Sequence, residues 1–179
     1  TLTQIAFGIG DIGANPDLFN IMQLCVDQKI VPNITINGEN LTDDYANKLA
    51  HYCGAVAVSY YGDDVCFNAV KKLTDLGMKQ INIHALLCEE TYENCFELMK
   101  KAKTDERLKN LNAIVFLWLK PKGKRNQFNR LTSLEKYRKL VDYALDNNQR
   151  IGFDSCSANA FLKAVAERPF EERKRLAEM

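Results

Sequence analysis

Six apolar runs of strand length recur along the 179 residues, at 4–9, 33–37, 55–59, 80–84, 113–119 and 150–154, and segments of helical period fill the gaps between them. This alternation leaves little choice of fold. Parallel neighbours need a crossover long enough to hold a helix, so the expected class is α/β with a parallel sheet. Helix starts are marked by Asn15-Pro16-Asp17, by Thr42-Asp43-Asp44 and by the capping-box pattern Thr132-Ser133-Leu134-Glu135, and Gly77 is a stop signal. A helix over 63–76 should bury Val65, Ala69, Val70 and Leu73; one over 133–147 should bury Leu134, Tyr137, Leu140, Val141 and Ala144.

Strand side chains alternate between two faces, and here the faces differ. Ile5 and Phe7 oppose Ala6 and Gly8; Ile34 and Ile36 oppose Thr35 and Asn37; Val56 and Val58 oppose Ala55, Ala57 and Ser59. Ile81 and Ile83 oppose Asn82 and His84, and Ile151 and Phe153 oppose Gly152 and Asp154. A doubly wound sheet, covered on both sides, should be apolar on both. One branched face and one small, polar face suit instead a roomy partial barrel, with helices outside and a ligand within. A sheet with one solvated face is the competing reading. Against it, the polar groups gather at C-terminal strand ends: 8–11, 37–39, 59–61, His84, Lys120 and 154–156. Asn37, Ser59, His84 and Asp154 are thus expected around one cavity, with Ile36, Val58 and Ile83 under helices.

With 46% hydrophobic residues, the length suits one domain, 1–166, followed by a charged segment, 167–179, in which Pro169 starts a solvated helix. The 24 basic and 23 acidic residues leave a net charge of +1, no footprint for duplex nucleic acid or an anionic membrane. No apolar stretch is long enough for a bilayer and no secretory leader is present, so the chain reads as cytoplasmic. Six cysteines, at 25, 53, 66, 88, 95 and 156, include no C-x-x-C pair and no zinc spacing, and most read as buried, reduced thiols.

The stretch IAFGIGDIGANPDL at 5–18 is similar to the glycine-rich strand end, following acid and "HPDL"-like helix start of the radical S-adenosylmethionine (radical SAM) superfamily. ITING at 34–38 is similar to its "TTNG", and 54–60, 82–84 and 151–156 fall in matching order. The resemblance runs from about Gln4 to Ala158. It implies a partial (β/α) barrel of parallel strands with outer helices, and an enzyme that uses S-adenosylmethionine and a [4Fe–4S] cluster for radical hydrogen abstraction. In the family a C-x-x-x-C-x-x-C loop after the first barrel strand holds the cluster. No such triplet occurs here, and the first strand resembles the family's second, so the resemblance is to a fragment lacking the N-terminal cluster loop. An uncovered first strand at 5–7 should then call for an oligomer or a partner chain.

Carried over by motif, Gly8, Gly10 and Asp11 approach the methionine amino group, Asn37 and Ser59 bond its carboxylate or the ribose, and His84 meets the adenine side. Asp11 stands where the family has Glu, and Ile9 and Ile12 are inserted. The loop Lys120-Pro121-Lys122-Gly123-Lys124-Arg125, with Arg130, holds five basic residues and no acid. Lys120, Lys122 and Asp154 are candidates to hold a phosphate or carboxylate of a small-molecule or peptide substrate; a merely solvated charge run is the alternative. Cys156 precedes a helix expected near Ser157, where the local potential favours the thiolate, so it should be the most reactive thiol. Family members carry further cysteines for auxiliary clusters, which makes Cys156 a candidate metal ligand. Two other functions stay open: a non-catalytic barrel binding a nucleotide-like ligand or a partner protein, and an unrelated barrel lyase or aldolase with Lys120 or His84 as base. No catalytic residue is assigned.

Overall fold

Strands and helices alternate as the pattern demands in the computed structural model, which describes residues 2–123 and 126–178. The order is β1 (Gln4–Gly10), α1 (Leu18–Asp27), β2 (Val31–Ile36), α2 (Asp43–Tyr52), β3 (Ala55–Ser59), α3 (Asp63–Asp75), β4 (Ile81–Leu87) and α4 (Tyr92–Thr104). A single 3-10 turn (Glu106–Leu108) leads to β5 (Ala113–Trp118), α5 (Leu134–Asp146), β6 (Ile151–Phe153), α6 (Ala158–Val165) and α7 (Phe170–Glu178). The strands form one sheet in the order β1-β2-β3-β4-β5-β6, and the registers described are parallel. The chain divides into two compact units, Thr1–His84 with Thr104–Asn112, and Ala85–Lys103 with Ala113–Met179.

In the N-terminal unit Ile34 pairs with Val56 and Ile36 with Val58, and these pair onward with Ile81 and Ile83. All six side chains are buried. Each such burial contributes about 1.5–3 kcal/mol, so the branched rows hold the unit together. The opposite row runs Gly8, Thr35, Ala57 and Asn82, one residue from each strand. Apart from Ala57, which is buried, this face is half-buried or exposed.

Several local expectations shift. Helix α1 starts at Leu18, not at Pro16, because the Asn15 side chain accepts the Asp17 N–H and closes a turn ahead of the helix. Val65 is 44% exposed; α3 instead buries Cys66, Phe67, Ala69, Val70 and Leu73, a stripe rotated toward Phe67, which stacks on Tyr60 at 6.2 Å. The cap of α5 is Ser133, not Thr132, its hydroxyl accepting the Lys136 N–H. Gly77, at φ +85°, ends α3 as expected, its N–H donating to the Thr74 carbonyl.

In the C-terminal unit Phe116 pairs with Phe153, whose ring meets those of Phe116, Tyr137 and Phe161 at 5.6, 5.6 and 5.0 Å. Helix α7 has no buried residue; it is held by Leu176 against Val141, Leu145 and Val165, and by Arg175, which donates to the Leu145 carbonyl and the Asn148 side chain. Leu176→Ser should lower stability by about 1 kcal/mol, part of a full leucine burial, and speed hydrogen exchange in α7. Unchanged exchange there would show that Arg175 alone suffices.

Candidate functional site

The C-terminal ends of β1, β2 and β3 carry the first group of candidate residues. A bulge between Gly8 and Gly10 shifts the register, so that Gly10 lies opposite Ile36. At Gly8 and Gly10 a Cβ would meet nothing within 4 Å, so both present open backbone, and Gly10, at φ +71°, needs glycine for its conformation. The Gly10 carbonyl accepts the Asn37 N–H at 2.8 Å, which joins the two motifs physically. Asp11 is already engaged: its carboxylate accepts the Gly13 N–H at 2.8 Å and the Asn40 amide at 2.6 Å. With two oxygens and several lone pairs it retains acceptor capacity for a cation.

Asn37 lies one residue past β2, which spans Val31–Ile36 and not 33–37. Its side-chain oxygen accepts the Glu39 N–H, turning the chain through Gly38 at φ +84°. Ser59 and His84 are direct register partners. His84 is therefore level with the end of β3, but it is not at the end of its own strand, since β4 continues to Leu87. Burial holds the His84 imidazole below its usual range, so it is neutral near pH 7 and able to accept a proton. With the folded value depressed, the unfolded chain binds more protons as pH falls below about 6.5, so stability present above that pH is lost on acidification. His84→Gln should flatten this loss in urea titrations between about pH 7 and pH 5; an unchanged slope would assign it to other groups.

The second group belongs to the C-terminal unit, at the ends of β5 and β6. Asp154 accepts from the Trp118 N–H (3.3 Å), the Ser157 N–H (3.2 Å) and the Ser157 hydroxyl (2.8 Å). Lys120 approaches its other oxygen at 3.6 Å. Hydrogen bonding to Cys156, then the charges of Cys156 and Asp154, push the Lys120 ammonium above its usual value. That counts against Lys120 as a base or amine nucleophile, which needs the neutral form. Cys156 is exposed and sits just ahead of α6, while Cys25, Cys66, Cys88 and Cys95 are buried and Cys53 is half-buried. Lys122 is exposed; Lys124 and Arg125, which complete the basic loop, lie outside the described residues.

Sequence reasoning placed Arg130 with the basic loop and Tyr137 in the core but missed Trp118 and its contact with Arg130. The Arg130 guanidinium lies over the Trp118 ring, 4.4 Å from its centre, and the indole N–H donates to the Leu131 carbonyl at 2.8 Å. No spacing rule links 118 to 130; only the fold of the loop does. The cleft of about 500 Å³ beside α2 and α3 is a different matter. Its cations are committed, Lys72 to Asp43 and the Leu41 carbonyl and Lys71 to Asp75, so it offers volume without free chemistry.

No group of three or more Cys, His, Asp or Glu among the described residues is placed to hold a metal ion. That includes Cys156, so these residues do not fit a [4Fe–4S] cluster, which needs several convergent thiolates. The open glycines, the acceptors at Asp11 and Asn37, and the Ser59–His84 pair do fit, in kind, a ligand with an ammonium, a carboxylate and hydroxyls.

Six parallel strands in sequence order, alternating with helices, define an α/β fold of the barrel-forming class. The fold is radical-SAM-like, matching partial radical SAM barrels. Streptococcus suis SuiB bound to its precursor peptide SuiA matches with a TM-score of 0.70 at 16% identity, over 97% of this chain and 43% of that one. SuiB has also been solved bound to S-adenosylmethionine. Histidine-tagged anSMEcpe with bound AdoMet matches with a TM-score of 0.58 at 17% identity, over 84% of this chain and 50% of that one. PhdJ bound to a substrate intermediate matches with a TM-score of 0.51 at 13% identity, over 93% and 58%. The chain thus spans about half the length of the structures it resembles. No family model and no curated protein matches the sequence. No helix among the described residues is long and apolar enough to cross a membrane.

Proposed function

We propose that this chain is the core of a radical SAM enzyme and binds S-adenosylmethionine at the C-terminal ends of β1–β4. The observation that carries the reading is the bulged glycine end of β1, open at Gly8 and Gly10 and hydrogen-bonded to the Asn37 backbone. Gly8, Gly10 and Asp11 serve the ammonium, Asn37 and Ser59 the carboxylate or ribose, and neutral His84 the adenine edge. Lys120, Lys122 and Asp154 serve a small-molecule or peptide substrate. When bound beside a reduced cluster, S-adenosylmethionine supplies radical hydrogen abstraction; in this reading the cluster's ligands lie outside these 179 residues. The fold likeness supports the reading, since SuiB and anSMEcpe have each been solved with this cofactor.

Equilibrium dialysis with labelled S-adenosylmethionine tests it. Saturable binding is expected, weakened about tenfold or more by Gly8→Val, because a branched side chain occupies the open backbone. Absence of binding, or binding indifferent to both Gly8→Val and Asn37→Ala, would sink the assignment. Anaerobic reconstitution of these residues with iron and sulfide should leave no stable site-differentiated cluster and yield no deoxyadenosine; robust product would overturn the placement of the cluster ligands.

A further inference from the structure

We propose that the end of β5 carries a recognition site for the carboxylate side chains of an acidic peptide, built from Arg130, Trp118 and Tyr137. This names a substrate class for the site just proposed and rests on that reading for its function, though not for its geometry. Trp118 is a fixed platform, since its indole N–H is held by the Leu131 carbonyl and its backbone N–H by Asp154. Stacking on the ring leaves the edges of the Arg130 guanidinium free, and a planar fork of N–H donors matches a carboxylate bidentately.

The surrounding charges point the same way. Among the described residues neither Arg130 nor Lys122 meets a carboxylate, whereas Lys120 has Asp154. The acids of the preceding loop are committed, Glu89 to Lys136 and both oxygens of Glu90 to the Asn129 backbone and side-chain amides. Tyr137 is fully buried, and its hydroxyl has no hydrogen-bond partner among the described residues. Burial first, then the charge of Asp154, opposed by that of Arg130, sets its proton affinity, so the hydroxyl lies in the field of both groups. A carboxylate oxygen held at Arg130 gives that orphan donor an acceptor, directly or through one water. The half-buried Trp118 ring adds an apolar flank that suits a peptide better than a free anion.

Trp118 is the single tryptophan, so its fluorescence reports on the site without a label. The probe is a blocked pentapeptide with two glutamates around a phenylalanine, titrated in the absence of S-adenosylmethionine; a glutamine isomer and inorganic phosphate serve as comparisons. The glutamate peptide should give a saturable change, weakened about fivefold between about 50 and about 300 mM salt and about tenfold by Arg130→Gln. Arg130→Lys, which keeps the charge but not the fork, should fall between. Tyr137→Phe keeps the ring and should weaken the peptide about threefold, which tests the site even if Arg130→Gln loses its native circular dichroism. Equal binding of the glutamine isomer, indifference to both Arg130→Gln and Tyr137→Phe, or binding of phosphate alone would each overturn the proposal. Failure of S-adenosylmethionine dialysis would leave this titration unaffected, so the two readings fail separately.

Discussion

Iodoacetamide at about pH 8 should modify Cys156 first, with Cys53, Cys66 and Cys95 slower by a factor of about a hundred or more. Burial pushes the thiols of Cys53, Cys66 and Cys95 up to about 12, with the Asp63 charge adding to the effect at Cys66. At pH 8 a group with that value is ionised to only about one part in ten thousand, and the thiolate is the nucleophile. Buried sulfur must also wait for local opening before reagent can reach it. Cys156 is exposed, so reagent reaches it without local opening. A brief pulse followed by peptide mass spectrometry checks the order, and Cys156→Ser should remove the fast adduct. If Cys25 or Cys66 is alkylated first, the special standing of Cys156 goes with it.

Gly38→Ala should cost about 2–4 kcal/mol, the sum of a left-handed backbone strain and an overpacked site. Gly38 has φ +84°, and an added Cβ would stand 3.1 Å from Val58, 3.2 Å from the Val65 carbonyl and 3.3 Å from Ala69. Two of these neighbours are a buried strand side chain and helix backbone, which cannot step aside as the tip of a lysine could. Gly8→Ala is the control, because nothing lies within 4 Å of its Cβ position. Urea unfolding should separate the two by most of that difference; equal midpoints would mean that the Asn37–Glu39 turn rearranges freely.

That contrast also marks what pattern reading can reach. The branched rows Ile34/Ile36, Val56/Val58 and Ile81/Ile83 were legible, because period-two alternation is a local property and all six residues are buried. So was β3, whose bounds of 55–59 the structure repeats. The phase of α3 was not, since the choice between Val65 and Cys66 with Phe67 depends on Tyr60 and Arg107 packing from elsewhere in the same unit. At the candidate site, Gly8, Gly10 and Asn37 could be singled out from sequence, but the bond between the Gly10 carbonyl and the Asn37 N–H is a matter of register between strands. Arg130 over Trp118 is further removed still, twelve positions beyond the end of β5 along a loop with no period.

The bulge in β1 is, in effect, a phase slip. Seven residues of β1 run beside six of β2, and the surplus residue is Ile9. Before the slip Gly8 pairs with Thr35 on the open face; after it Gly10 pairs with Ile36, so an open glycine stands on either side of the surplus residue. Deleting Ile9 would leave the ladder regular and the composition almost unchanged, yet it would remove the bulge that separates the two open glycines and straighten the strand end that leads into Asp11. Point substitution at Ile9 should be cheap by comparison. At Ile9 length matters more than residue identity, and deletion there should be far less tolerated than exchange.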